Sequence, residues 1–381
     1  MKKLTGTLFF LTIVFLFLTG CKTGSPGDDK SWVLQPFSKD TADNPVLVPR
    51  NSTVFHDPIR KAPVRWEAKD VFNPASVVRG DTLFLLYRAE DSLGRYNGTS
   101  RIGLAWSTDG VHFTRLDHPV LYPGNDLFCK YEWEGGCEDP RVVEDRKGVY
   151  YMTYTAYDGD KARLFIATSK DLRHWTKHGS VFSNDRYVDM WSKSGSIVCR
   201  LEEGRLIAAR IHGKYWMYWG ESNIYLATSD DLLHWSPMLE NDPAKMVYDT
   251  MRHYTAPFKI IFSPRRGMFD SELVEPGPPA LLTGRGIVFI YNSKNSPEYG
   301  DSSLPAGTYA AGQVLLDKTS PVRVIDRTDH WFLAPDQPFE ITGQVNNVCF
   351  VEGLSFFKGQ WFLYYGTADS RIAVATCGEE L

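Results

Sequence analysis

The chain has 381 residues and a formal net charge of −4, from 42 Lys and Arg against 46 Asp and Glu. No basic cluster stands out, which excludes nucleic acid and any strongly acidic partner as the basis of function. Aromatic residues make up 14% and include eleven Trp, the kind of content that sugar-binding clefts and propeller cores use, because aromatic faces stack on the apolar faces of pyranose rings.

Residues 1–21 read as a processing signal. Lys2-Lys3 supplies the charge, Leu8 to Leu18 the apolar run, and Leu18-Thr19-Gly20-Cys21 closes it. That ending resembles a bacterial lipobox, in which the cysteine is lipidated and becomes the mature N-terminus. Residues 22–45 are then a flexible tether that opens on Gly, Ser, Pro and Asp, and 46–381 the folded catalytic domain. The expectation is an exported lipoprotein, periplasmic or at the cell surface, held to a membrane through Cys21. Cys129, Cys137, Cys199, Cys349 and Cys377 are widely spaced, with no CxxC, so neither metal nor cofactor is expected. Cys129 and Cys137 are the nearest pair; a disulfide between them stays open.

Internal similarity carries the architecture. Arg101-Ile-Gly-Leu-Ala-Trp-Ser-Thr-Asp-Gly-Val-His-Phe113 returns as Arg163–Trp175 and Asn223–Trp235, with a degenerate copy at Tyr309–Asp317 and a truncated one at Arg371–Thr376. Each copy follows an apolar strand entered from a turn: Asp81–Tyr87, Gly148–Tyr154, Gly204–Ala209, Gly286–Tyr291 and Gly359–Tyr365. The fold class is all-β, and five such units of about four strands fit a five-bladed β-propeller. Asp109, Asp171 and Asp231 are assigned to blade turns, accepting backbone N–H bonds while the following aromatic packs between blades.

In a propeller the innermost strands line a central channel, so polar residues at their ends converge however far apart they lie in sequence. In chain order these are Asn73, Arg88, Glu138 and Asp139, Lys193, Arg210, Glu221, Glu272 and Glu275, and Asp369. Opposed carboxylates in an aromatic-walled cleft suit cleavage of a glycosidic bond: one protonated acid assists the leaving oxygen and one anion activates the nucleophile. The central run is Glu138-Asp139-Pro140-Arg141, where proline pushes Asp139 into an extended or turn conformation. Alone, it would serve equally as a turn with a surface ion pair.

The ordered set Phe72-Asn-Pro-Ala75, Leu85-Leu-Tyr-Arg88, Glu138-Asp-Pro-Arg141, Gly277-Pro-Pro279 and Tyr364-Tyr-Gly-Thr-Ala-Asp369 resembles glycoside hydrolase family 130 from about residue 60 to the end. The resemblance implies a five-bladed propeller acting on β-mannoside oligosaccharides, by inverting phosphorolysis in most members and by hydrolysis of β-1,2-mannosides in some. It implies Asp139 as general acid, acting through a hydroxyl of the bound mannose. It also implies Asn73, Arg88 and Asp369 as mannose-binding groups, with Glu138 and Arg141 beside them.

A phosphorylase needs a cationic cradle for inorganic phosphate, and a hydrolase needs a carboxylate to deprotonate water. Lys193 and Arg210 match cations of the phosphorylase pattern. Ala209, however, stands where that pattern has His, and Tyr291-Asn292-Ser293 replaces its Tyr-His-Gly. Glu221 and Glu275 enter the same region and would repel phosphate. The favoured expectation is an inverting, exo-acting β-mannosidase for β-1,2 linkages, with Glu221 and Glu275 activating water and Glu272 as the fallback. Export supports it, since sugar phosphate made outside the cytoplasm is hard to recover. A mannoside phosphorylase and a non-catalytic glycan-binding lipoprotein are the alternatives.

Overall fold

The computed structural model describes residues 1, 30–39, 42–182, 185–249 and 254–378. The chain divides into two compact units, Met1–Ser31 and Trp32–Leu381. Cys21, the apolar run before it and residues 22–29 lie outside the described residues. The tether expected to reach residue 45 does not extend that far. Trp32, Val33 and Leu34 are buried, and the Leu34 backbone exchanges hydrogen bonds with the Gln313 side chain (3.0 and 2.8 Å). Three consecutive apolar side chains give that segment enough buried area to offset the entropy of ordering it.

The second unit is nearly all β, with three short helices among the described residues. Its strands pair antiparallel in five meanders. The first comprises Asp70–Arg79, Thr82–Glu90, Ser100–Ser107 and Thr114–Arg115, and the second Gly136–Glu144, Tyr150–Tyr157, Ala162–Ser169 and Thr176–Ser180. The third runs Ser196–Glu202, Lys214–Trp219, Ile224–Ser229 and Trp235–Pro237. The fourth opens with the broken strand Leu273–Pro276 and Ala280–Leu282, followed by Ile287–Lys294, Tyr309–Leu316 and Val324–Arg327. In the fifth, Cys349–Phe357, Gln360–Thr367 and Arg371–Cys377 are joined by Ser38–Lys39 from the start of the unit, which pairs with Thr376 and Ala375. Part of the outer edge of the last sheet is thereby covered by the start of the same unit.

The repeats predicted from sequence take these positions. In three meanders the turn aspartate accepts two backbone N–H bonds and a histidine contact: Asp109 from Val111 and His112, Asp171 from Arg173 and His174, Asp231 from Leu233 and His234 (2.8–2.9 Å). Phe113 meets Tyr364 edge-on at 5.9 Å, packing one sheet against another. A second repeat was not anticipated. Tyr87, Tyr154, Tyr291 and Tyr365, each in the second strand of its meander, donate to the buried carboxylates Glu67, Glu132, Asp270 and Glu340 (2.7–2.9 Å). A phenol so deep in a sheet requires a partner.

The third meander departs from the expected pattern. Arg205–Ala208 pairs with the far half of Ser196–Glu202, through the turn Glu203-Gly204 (φ 51 and 79), and touches Gly136–Glu144 at Ile207. The strand that precedes the Ala-Thr-Ser repeat is Lys214–Trp219. An extra hairpin therefore separates Arg210 from the position that Arg88 holds in the first meander. Cys129 and Cys137 are both free thiols.

Candidate active site

The ladder of Asp70–Arg79 slips between Phe72 and Pro74, and that of Gly136–Glu144 between Glu138 and Arg141. At the slips Asn73 (φ 46) and Asp139 (φ 50) are left-handed, as are Ser194 (φ 57) and Asp369 (φ 50). Such a conformation costs a non-glycine residue on the order of 1–3 kcal/mol and clusters where function constrains the backbone. Asp139 is thus left-handed rather than extended. The prolines that follow Asn73 and Asp139 lack the N–H that would continue the ladder, and the bulges turn both side chains toward one another: Asn73 Nδ2 donates to Asp139 Oδ1 at 3.0 Å.

Arg88 gathers the acids. Its Nη1 lies 3.2 Å from Asp139 Oδ1, and its Nη2 lies 2.7 Å from Glu90 Oε1 and 3.0 Å from Glu138 Oε1. Nε donates to Ser100 Oγ at 3.0 Å, and the guanidinium lies over the Phe72 ring at 4.6 Å. Lys69 also pairs with Glu90, at 2.9 Å. Arg88 is therefore shared by Glu90, Glu138 and Asp139, and the ionisations of the adjacent Glu138 and Asp139 are linked. Burial pushes Glu138 up to about 7 against the pull of Arg88, with Asp139 adding to the rise. Asp139 goes the other way, to about 2: burial would raise it, but Arg88, Lys193 and the Asn73 amide outweigh that. The turn carrying Asp369 docks on the same strand, with Val71 N donating to Ser370 O at 3.3 Å. Burial lifts Asp369 to about 7 despite Arg88.

Lys193 joins this group to a second one. Its Nζ is 3.9 Å from Asp139 Oδ2 and 3.8 Å from Glu275 Oε1. Ser194 Oγ donates to Glu275, and Gly220 N donates to Lys193 O at 2.9 Å, which anchors the turn bearing Glu221. Trp191 Nε1 holds Glu221 Oε2 at 3.0 Å. Glu275 is 3% exposed; burial raises its pKa, Lys193 opposes, and the neighbouring Glu221 adds to the rise. For Lys193, burial is outweighed by Glu275, Glu221 and Asp139, which keep it protonated.

Arg141 is 2% exposed and spends its donors on structure, so it is not a substrate-binding group. It reaches the carbonyls of Gly277 (2.8 Å), Pro276 (2.7 Å) and Asp139 (3.2 Å), and Glu352 Oε1 at 2.8 Å.

Two sequence candidates fall outside the cluster. Arg210 is exposed, lies over the Tyr215 ring at 4.2 Å and donates to the carbonyls of Gly213 and Asp230. Tyr215 lies toward the end of Lys214–Trp219 away from Gly220, four strand steps, roughly 13 Å, from Trp219. Arg210 lines a cavity with Arg146, Arg200 and Glu202 instead. Glu272 is paired with Lys294 at 2.7 Å, which leaves Glu275 as the carboxylate of its strand that faces Lys193. Sequence reading missed Glu90, Ser100, Ser194 and Glu352. Glu90 was readable, since it shares the Arg88 face two residues on. Glu352 was a lone acid in the apolar run Cys349–Phe357.

Known proteins give this geometry its context. The glycoside hydrolase family 130 model, described as beta-1,4-mannooligosaccharide phosphorylase, matches residues 39–381. A 1,2-beta-oligomannan phosphorylase of Thermoanaerobacter sp. (strain X514) is 32% identical over 346 residues, 88% of this chain and 96% of that one. The crystal structure of a glycosyl hydrolase from Bacteroides ovatus superposes with a TM-score of 0.84 at 43% identity, covering 91% of this chain and 94% of its own. A further structure has the same TM-score, identity and coverage; its description states that this family of mannoside phosphorylases contains glycoside hydrolases that target beta-1,2 mannosidic linkages in Candida mannan. The matched span takes in every residue of the cluster, and on these grounds the chain belongs to glycoside hydrolase family 130.

Proposed function

We propose that the protein is an inverting, exo-acting β-mannosidase that hydrolyses β-1,2-mannosidic linkages, on a fold whose five meanders are the blades of a β-propeller. The observation that carries the reading is the position of Lys193 between Asp139 and Glu275. Both distances start from one nitrogen, so these two oxygens are at most about 7.7 Å apart, a bound that admits the separation of an inverting pair. On the Glu275 side, a phosphate dianion would meet the carboxylates Glu221 and Glu275 beside Lys193, while Arg210 is turned away. A water meets two carboxylates that can accept its proton.

In this reading Asp139 is the general acid, acting through a mannose hydroxyl, and Glu221 with Glu275 forms the base. Asn73 and Arg88 orient Asp139 while Arg88 and Asp369 meet the sugar. The acid must carry a proton, and in the sugar-free site Glu138 is the member of the pair whose proton affinity is raised. A sugar hydroxyl placed between Asp139 and Lys193 would remove part of the field that holds Asp139 down and let the pair's proton pass to it. We also propose export and anchoring through Cys21, which replacement of Cys21 by Ala tests by release from the membrane fraction.

The deciding experiment incubates the enzyme with β-1,2-mannobiose with and without inorganic phosphate. Free mannose formed without phosphate supports hydrolysis. Strict phosphate dependence, with mannose 1-phosphate as product, would establish the phosphorylase instead; tight glycan binding with no turnover would establish a non-catalytic binding protein.

A further inference from the structure

The loops bearing the proposed acid and base share one internal fastening. Arg141 belongs to the Glu138–Arg141 run, yet it binds the carbonyls of Pro276 and Gly277, the two residues that directly follow Glu275. A third donor returns to the Asp139 carbonyl at 3.2 Å. One guanidinium thus ties the backbone of the acid to the backbone of the base. The fourth partner comes from another meander: Glu352, fully buried, at 2.8 Å.

Glu352 is held in place with unusual care. The ladder of Cys349–Phe357 slips between Val351 and Gly353, so Glu352 sits at the bulge and leaves the strand register. Asn292 grips the residue before it from both sides: its Nδ2 donates to Val351 O (3.0 Å) and its Oδ1 accepts from Val351 N (2.7 Å). The residue after it is Gly353, where a Cβ would meet Pro74 O at 2.8 Å, so only glycine admits that approach. Neither Glu352 oxygen has a hydrogen-bond partner of good geometry, which leaves the Arg141 contact as its principal interaction. A buried acid with one cationic partner is a poor source of stability. Its effect falls on where the cation sits.

We propose that Glu352 is a positioning residue for the reaction: through Arg141 it fixes the spacing between Asp139 and Glu275. The inference rests on the roles given to those two residues above. The slack left by a lost anchor would act on the transition state, where alignment is most demanding, more than on sugar binding.

The test compares Glu352→Leu, which removes the acceptor at similar volume, with Glu352→Gln, which keeps an oxygen for Arg141. Initial rates are read on whichever reaction the parent performs, with or without phosphate, so a wrong choice of reaction does not confuse the outcome. Glu352→Leu is expected to lower kcat at least about tenfold with KM within about threefold of the parent, and Glu352→Gln to recover most of kcat. Arg141→Lys provides a cycle should Glu352→Leu fold poorly: combined with Glu352→Ala it should lose little more than the worse single variant. Parental kcat in Glu352→Leu, or strictly additive losses in the cycle, overturns the proposal.

Discussion

Lys193→Met removes the charge that Asp139 and Glu275 share while keeping a long, unbranched side chain in its place. At an effective dielectric of about 20, unit charges 3.8–3.9 Å apart interact by roughly 4 kcal/mol. At about 1.4 kcal/mol per pH unit, that sets a ceiling of about three units for either carboxyl. Arg88 stays beside Asp139, and the Lys193 side chain is 17% exposed, so about one to two units is the expected size. The sign follows from charge. Without the ammonium both carboxylates ionise less readily, so the limb set by the base and the limb set by the acid both move to higher pH. Lys193 itself stays protonated in the fold, and its own ionisation adds no pH dependence below about 10.5. The assay is kcat/KM for mannose release from β-1,2-mannobiose between pH 4 and 9 at fixed ionic strength, with a thermal melt to confirm folding. A bell that stays in place, or moves to lower pH, refutes the electrostatic reading of the site.

Asp139→Asn keeps the shape of the acid and should lower kcat by about 10²–10⁴ with little change in sugar affinity; parental turnover would remove Asp139 from the chemistry. Glu221→Gln and Glu275→Gln should each cost a comparable factor, and the double variant little more than the worse single one if the two share one water. Asp171→Ala, in a blade turn, should lower stability by about 1–2 kcal/mol and leave kcat unchanged, as chemical denaturation beside a rate assay would show. Glu138 and Asp369 are lifted to about 7 in the fold, so the folded state binds more protons than the unfolded one between about pH 4 and 7. The stability they contribute is full below the unfolded carboxylate range and is lost as pH rises through 7; Asp369→Asn should flatten that part of the curve of melting temperature against pH.

The Ala-x-Ser-x-Asp repeats, the Gly turns and the strands between them are local features, and the sequence determines them: a pleated strand and an Asp-capped turn are specified by a few adjacent residues. Glu138-Asp139-Pro140-Arg141, Arg88 and Glu275 were readable for the same reason, since each sits beside a proline or at a strand end that fixes where it can point. The tertiary structure decided the rest. Arg210 matched a motif, but the hairpin at 203–204 adds a strand and carries it to the far end of its sheet. Arg141 stood among the substrate-binding candidates, but its four partners, drawn from three separate stretches of chain, engage all three guanidinium nitrogens. Protonation, too, is a property of the assembly. Glu138 and Asp139 are neighbours in sequence with similar intrinsic acidity, yet burial drives Glu138 up against the pull of Arg88, while for Asp139 it is outweighed by Arg88, Lys193 and Asn73, brought from three different positions. Charge interactions of that kind depend on distance in space and on loss of solvent, and neither is encoded in the order of residues along the chain.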